Sequence, residues 1–111
     1  SLILCPSSLR YMWPNEIEKF IPSLPSSSVY VVSGFDDVDF VKHKKIQIVV
    51  ASYSLLQTRS AAAHALRNDV QFRCVIADES HNLKEKNSQR CTLALPLLTQ
   101  ARRLILISGT P

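Results

Sequence analysis

Short apolar runs alternate along this chain with longer segments whose apolar residues recur at helical spacing. Leu2–Cys5, Val29–Ser33, Ile46–Ala51, Cys74–Ala77 and Leu104–Ile107 are rich in β-branched and aliphatic residues, and each is stopped by a proline, a glycine, a hydroxyl residue or an acid. Runs of that length without polar alternation suit strands covered on both faces, as in a parallel sheet. Between the first two runs, Leu9, Met12, Trp13, Ile17, Phe20 and Ile21 fall on one helical face, with Ser7 or Ser8 as the expected cap. Pro14 interrupts that pattern and predicts either a kink or a late helix start, and Pro22 ends it. Ser23–Ser28 reads as a polar linker, and Gly34–Lys45 as a loop with a short helix after Asp37. Leu55, Leu56, Ala61–Ala63, Ala65 and Leu66 supply the surface of a second helix after Ser52-Tyr53-Ser54. A polar stretch from Asn82 to Asn87 precedes a third, capped at Asn87 or Ser88 and bent at Pro96. Strand alternating with helix predicts an α/β fold: a mostly parallel sheet flanked by helices.

Composition narrows this picture without changing it. With 111 residues, 46% of them hydrophobic, the chain is the size of one small domain with a single core. The net charge of +4 and pI near 9.2 permit an anionic partner without requiring one. Cys5, Cys74 and Cys91 are odd in number and widely separated in apolar contexts, which argues against a disulfide framework and against zinc. That pattern suits a reducing compartment, nucleus or cytosol. No apolar run approaches the roughly 18 residues of a membrane span, and the opening residues lack the basic lead of a signal peptide. A soluble protein with no membrane partner is expected. Because the chain opens inside a strand, it is expected to be an excerpt of a longer one.

The candidate chemistry lies at the strand ends. Asp78 and Glu79 stand side by side at the close of Arg73–Asp78, and the C-terminal edge of a parallel sheet is where such folds bind ligands. In nucleotide hydrolases the first of two such acids holds Mg²⁺, often through water, and the second orients or deprotonates the attacking water. The alternative is an Asp-Glu turn that caps the next helix. Pro6-Ser7-Ser8 with Arg10, and Ser52-Tyr53-Ser54, are two hydroxyl-rich turns that each join a strand to a helix. Together they could make a track for a sugar-phosphate backbone, and equally they are two ordinary serine N-caps. His64 in its alanine-rich helix reads as structural, and Lys42, His43, Lys44 and Lys45 as a solvated rim.

In order, Leu4-Cys5-Pro6-Ser7-Ser8-Leu9, Ser52-Tyr53, Asp78-Glu79-Ser80-His81 and Ser108-Gly109-Thr110-Pro111 resemble motifs Ia, Ib, II and III of the superfamily two helicase-like ATPases. The phrases Cys5–Arg10, Glu79–Lys84 and Ala101-Arg102-Arg103 are similar to the Swi/Snf branch of DNA translocases, and within it to the annealing helicases that remodel stalled replication forks. The resemblance implies that Asp78 binds Mg²⁺ through its water shell and that Glu79 is the base or positioner for water. Ser80 and His81 would meet Ser108, Gly109 and Thr110 to link nucleotide state to lobe movement. Pro6, Ser7, Ser8, Arg10, Ser52, Tyr53 and Ser54 would contact DNA phosphates, with Lys84 adding charge.

A Walker A loop needs glycines and a lysine, and Gly34 and Gly109, the only glycines, cannot form one. Residues 1–111 are therefore expected to be the central part of an N-terminal RecA-like lobe, lacking the Walker A strand and inactive alone. The implied parent is a nuclear, ATP- and Mg²⁺-dependent DNA translocase, an ATP hydrolase acting on duplex or fork DNA beside replication or repair proteins and chromatin. The alternative is a DNA-binding or protein-interaction module that has lost the nucleotide chemistry.

Overall fold

The computed structural model describes residues 1–78 and 100–107. Five strands, β1 (Leu2–Cys5), β2 (Val29–Val31), β3 (Ile48–Ser52), β4 (Cys74–Asp78) and β5 (Arg103–Ile107), form one sheet in the order β2-β3-β1-β4-β5. Every pairing is parallel, as the unbroken apolar runs predict. Three helices are described: α1 (Met12–Phe20), α2 (Tyr53–Leu56) and α3 (Ala61–Asn68).

The side-chain period of two divides each strand between two cores. Leu2 and Leu4 of β1 join Val49 and Ala51 of β3 and Val75 of β4 on one face, under Leu56, Ala62, Ala65 and Leu66 of α2 and α3. Ile3 and Cys5 join Val50 on the other, under Ile17 of α1, with Trp13, Ile48 and Ile76 packed against them. The register makes this division consistent, because Leu2 sits opposite both Val49 and Val75, and Ile3 opposite both Val50 and Ile76. All of β1 is buried, since it is the middle strand. Replacing Leu4, which has no exposed surface, by alanine would cost about 2–5 kcal/mol in lost transfer energy and cavity. At the edge the cover thins, and Leu104 and Ile105 of β5 are 42% and 46% exposed.

Local structure departs from the sequence pattern in specific places. Pro14 causes a late start: α1 begins at Met12, so proline occupies the first turn, where its missing N–H costs no helical bond. Neither Ser7 nor Ser8 caps a helix; Ser7–Leu9 is a separate 3-10 turn, and the residue before α1 is Tyr11 with no side-chain cap. The helix expected across residues 53–66 is two helices. Thr58 breaks it by donating its hydroxyl to the Leu55 carbonyl at 2.6 Å, and Ser60 restarts it by accepting from the Ala63 amide at 3.2 Å. The short helix expected after Asp37 is the 3-10 turn Asp39–Val41, which buries Phe40. His64, read as structural, is exposed on α3. The third helix, expected from 87 or 88 to 98, lies outside the described residues.

Candidate functional site

Chain direction reverses around β1. From β1 the chain passes α1 to the far edge, β2, and returns through β3; from β3 it passes α2 and α3 across β1 to β4, and later reaches β5. The C-terminal ends of β1 and β4 thus flank a topological switch point, the position where open α/β sheets form a ligand crevice. Leu4 pairs with Ala77, which sets Cys5-Pro6 beside Asp78 at that point.

Asp78 is 7% exposed. Two aromatic side chains from other elements reach it. The indole N–H of Trp13, on α1, donates to its Oδ2 at 3.2 Å. The hydroxyl of Tyr53, on α2, donates to its carbonyl oxygen at 2.7 Å. Both donors are uncharged, so they hold the residue in place without neutralising it. Cys5 feels the same neighbourhood: burial first, and then the Asp78 carboxylate, push its thiol up to about 12, with Arg10 opposing. It stays a protonated thiol at neutral pH, donating weakly to the Ala51 carbonyl at 3.8 Å.

The two hydroxyl-rich turns line one groove. Ser7 and Arg10 from the first, and Ser52 and Ser54 from the second, face a space of about 400 Å³ completed by Ser33, Gly34, Phe35, Leu55 and Thr58. Within it the roles divide. Ser7 and Ser54 are exposed, and so is Ser8 nearby, whereas Pro6 is half-buried. Ser52 is 3% exposed and its hydroxyl accepts from the Leu55 amide at 3.1 Å, so it is the N-cap of α2. Tyr53, expected on the track, is 1% exposed; its ring lies in the core and its polar tip serves Asp78. Arg10 is tied down twice, through Nε to the Ser7 carbonyl at 3.2 Å and through Nη1 to the Val32 carbonyl at 3.1 Å. It joins the turn after β1 to the end of β2.

One wall of the groove had no counterpart among the sequence candidates. After β2, Asp37 accepts from the Tyr30 hydroxyl through Oδ1, and from the Ser33 amide and hydroxyl through Oδ2 at 3.1 and 3.2 Å. Burial alone would raise the Asp37 carboxyl; the hydrogen bonds from Tyr30 and Ser33 outweigh it and hold the group below the ordinary carboxylate range. Burial, and then this contact, push the Tyr30 phenol up. The clamp folds Ser33-Gly34-Phe35 against the groove, and Phe35 anchors it further by accepting from the Ala62 amide at 2.9 Å. Glu79, Ser80, His81, Lys84, Ser108, Gly109 and Thr110 lie outside the described residues.

A buried carboxylate at a sheet switch point, beside a groove lined by both hydroxyl-rich turns, narrows the comparison, and residues 1–111 match the SNF2-related domain. The chain belongs to that family. This SNF2-related chain is 40% identical over 110 residues to the human DNA annealing helicase and endonuclease ZRANB3, covering 99% of the chain and 10% of that protein. It is 36% identical to the Xenopus laevis SWI/SNF-related matrix-associated actin-dependent regulator of chromatin subfamily A-like protein 1, over 99% of the chain and again 10% of the relative. Among solved structures, the Sulfolobus solfataricus SWI2/SNF2 ATPase core in complex with dsDNA superposes with a TM-score of 0.78 at 26% identity, over the whole chain and 21% of that protein. The parallel sheet with its helices is thus the RecA-like fold of that core. The chain spans about a tenth of the length of these curated relatives.

Mg²⁺ fits this donor set. Among the described residues no group of three or more His, Cys, Asp or Glu could cage a metal. A single carboxylate at a strand end is what Mg²⁺ uses when nucleotide phosphates and water complete its octahedron.

Proposed function

We propose that this SNF2-related chain is the central part of an N-terminal RecA-like lobe in a DNA-dependent ATPase, a translocase that couples ATP hydrolysis to movement on duplex or fork DNA. The observation that carries the reading is the convergence, at one sheet edge, of the groove built from both hydroxyl-rich turns and the buried Asp78. Asp78 would hold Mg²⁺ through the ion's water shell, where a bound ion would supply neutralisation of the nucleotide's phosphate charge. Glu79 orients the attacking water and draws its proton. Ser80 and His81, with Ser108, Gly109 and Thr110, carry the nucleotide state to the rest of the motor. Ser7, Ser8, Ser54 and Arg10 contact successive phosphates of one strand, with Pro6 and Ser52 shaping the turns and Lys84 adding charge. Phosphate contacts of this kind set register and carry no base information.

The relatives' names, an annealing helicase and a regulator of chromatin, support a nuclear protein working beside replication or repair factors and on chromatin. The test is steady-state ATP hydrolysis by the full-length protein, titrated with duplex and with forked DNA. Hydrolysis that rises with DNA and disappears in Glu79→Gln is the expected result. Tight DNA binding with no Mg²⁺-ATP binding would instead make the lobe a non-enzymatic DNA-binding module.

A further inference from the structure

Trp13 and Tyr53 come from positions 65 and 25 residues away from Asp78, on opposite faces of the sheet, yet both end on that one residue. Each is also attached to one of the groove's two turns: Tyr53 directly follows Ser52, and Trp13 follows Arg10 in the first two residues of α1. We propose that Trp13 is a positioning residue for the Mg²⁺-binding carboxylate, and that Trp13 and Tyr53 together tie the geometry of Asp78 to the two turns that grip the DNA backbone. The inference rests on the DNA-dependent ATPase reading.

The physical argument concerns freedom of rotation. A carboxylate that meets an ion through water must present one oxygen at a defined angle, and χ2 of aspartate is a broad torsion with little intrinsic preference. Tyr53 fixes the backbone carbonyl of Asp78, and therefore where the side chain originates. Trp13 holds Oδ2, and therefore biases which way the carboxylate faces relative to the ion's water shell. A lysine in the place of Trp13 would compete with Mg²⁺ for the charge, whereas an indole N–H orients without competing. Outer-shell donors to directly ligating side chains typically account for about 10–100-fold in metal affinity or activity, and a carboxylate acting through water belongs at the lower end of that range. Any tilt of α1 when the Ser7–Arg10 turn engages a phosphate moves the indole, and with it the carboxylate.

The test uses the full-length protein and Trp13→Phe, which keeps an aromatic ring at this half-buried position and removes only the donor and part of the ring system. Three quantities are measured: Mg²⁺-dependent affinity for a fluorescent, non-hydrolysable ATP analogue, the Mg²⁺ concentration giving half-maximal DNA-stimulated hydrolysis, and DNA affinity without nucleotide. The expected result is a roughly tenfold rise in both Mg²⁺ requirements, at the lower end of the outer-shell range, with DNA affinity within twofold of wild type. Tyr53→Phe, which deletes a single hydroxyl, provides the second arm and should raise the Mg²⁺ requirement in the same direction. Parallel losses in DNA affinity, Mg²⁺ affinity and melting temperature in Trp13→Phe would make Trp13 a packing residue and overturn the proposal. So would unchanged Mg²⁺ requirements in that variant while the wild type binds the Mg²⁺-analogue complex. If the wild type itself shows no Mg²⁺-dependent nucleotide binding, the ATPase reading fails and takes this inference with it.

Discussion

The proposed function gives Arg10 two tasks, a structural tie and a phosphate contact, and substitution can separate them. A guanidinium has five N–H donors. The structure commits two of them, Nε–H to the Ser7 carbonyl and one Nη1–H to the Val32 carbonyl, and leaves the remaining N–H groups on a side chain that lines the groove. Arg10→Lys keeps the positive charge and loses the two-carbonyl tie, while Arg10→Glu loses both and adds repulsion. Hydrogen bonds from charged donors contribute about 1.5–3 kcal/mol each when well shielded, and these are only partly so; a loss of about 1–2 kcal/mol is expected in both variants. DNA binding should split them. One phosphate contact contributes a salt slope of about 0.9 on B-DNA, so the affinity gap between wild type and Arg10→Glu should narrow by about 3.5-fold as salt rises from about 50 to about 200 mM. Arg10→Lys should keep nearly the wild-type slope. The assay is fluorescence anisotropy of labelled duplexes of two unrelated sequences with the full-length protein, at four salt concentrations. Equal slopes for wild type and Arg10→Glu would remove Arg10 from the phosphate track and leave it only the tie to Val32. A loss confined to one duplex sequence would refute the phosphate reading just as directly, because phosphates are the same in both.

Other consequences are open to measurement. Glu79→Gln in the full-length protein should keep ATP binding while single-turnover hydrolysis falls by roughly two to four orders of magnitude, the range for losing a positioned base. A polypeptide of residues 1–111 alone should aggregate, because β5 forms a sheet edge with Leu104 and Ile105 exposed, and the face holding Ile3, Ile48 and Ile76 opens beside the exposed Met12, Phe20 and Ile21. A monodisperse sample with a sharp, cooperative melt would contradict this. Asp37 has a folded pKa below its unfolded value, so its contribution to stability is present above the usual carboxylate pKa of about 4 and is lost as pH falls through the lower folded value. Hydrogen exchange at the Ser33 amide should therefore accelerate in Asp37→Asn at neutral pH, and in the wild type only on strong acidification, after correction for the intrinsic pH dependence of exchange.

The strands were legible because their signal is local. Four consecutive apolar residues in β1 need two covered faces, and no long-range information is required to say so. The acid at the end of β4 was legible for the same reason, since an abrupt change from Ala77 to Asp78 marks a strand terminus wherever the strand lies. What the turns do was not legible. Ser7 and Ser52 both follow strands, but only Ser52 caps a helix, because α2 begins at once after it while Pro14 delays α1 past the reach of Ser7. Tyr53 reads as a surface residue beside two serines, and its burial depends on α3 packing over it. Asp37 had a faint local signal, an acid four residues beyond Ser33 and seven beyond Tyr30, but choosing it over Asp36 and Asp39 requires the loop's path. The indole of Trp13 had none: helical periodicity assigns it to the core stripe, and a donor aimed at a residue 65 positions away is invisible to periodicity.

The order of the strands explains why the groove and the carboxylate come together. β1 lies in the middle, with β3 on one side and β4 on the other, so the turn after β1 borders both the turn after β3 and the end of β4. Ser7 and Arg10 therefore share a groove with Ser52 and Ser54 on one flank, while Cys5 lies against Asp78 on the other. A phosphate bound there, as proposed, would pull on the strand whose neighbour carries the acid. Burial sharpens the effect, because a carboxylate that is 7% exposed has little bulk water to compensate for a displaced donor. On the proposed reading, a small rotation of α1 would then change the field at a bound ion rather than be absorbed by solvent. The apolar strands on either side resist it, since close-packed cores do not deform continuously. On that reading, strain introduced at the groove would reach the polar contacts at the switch point, the hydrogen bonds from Trp13 and Tyr53 to Asp78 among them.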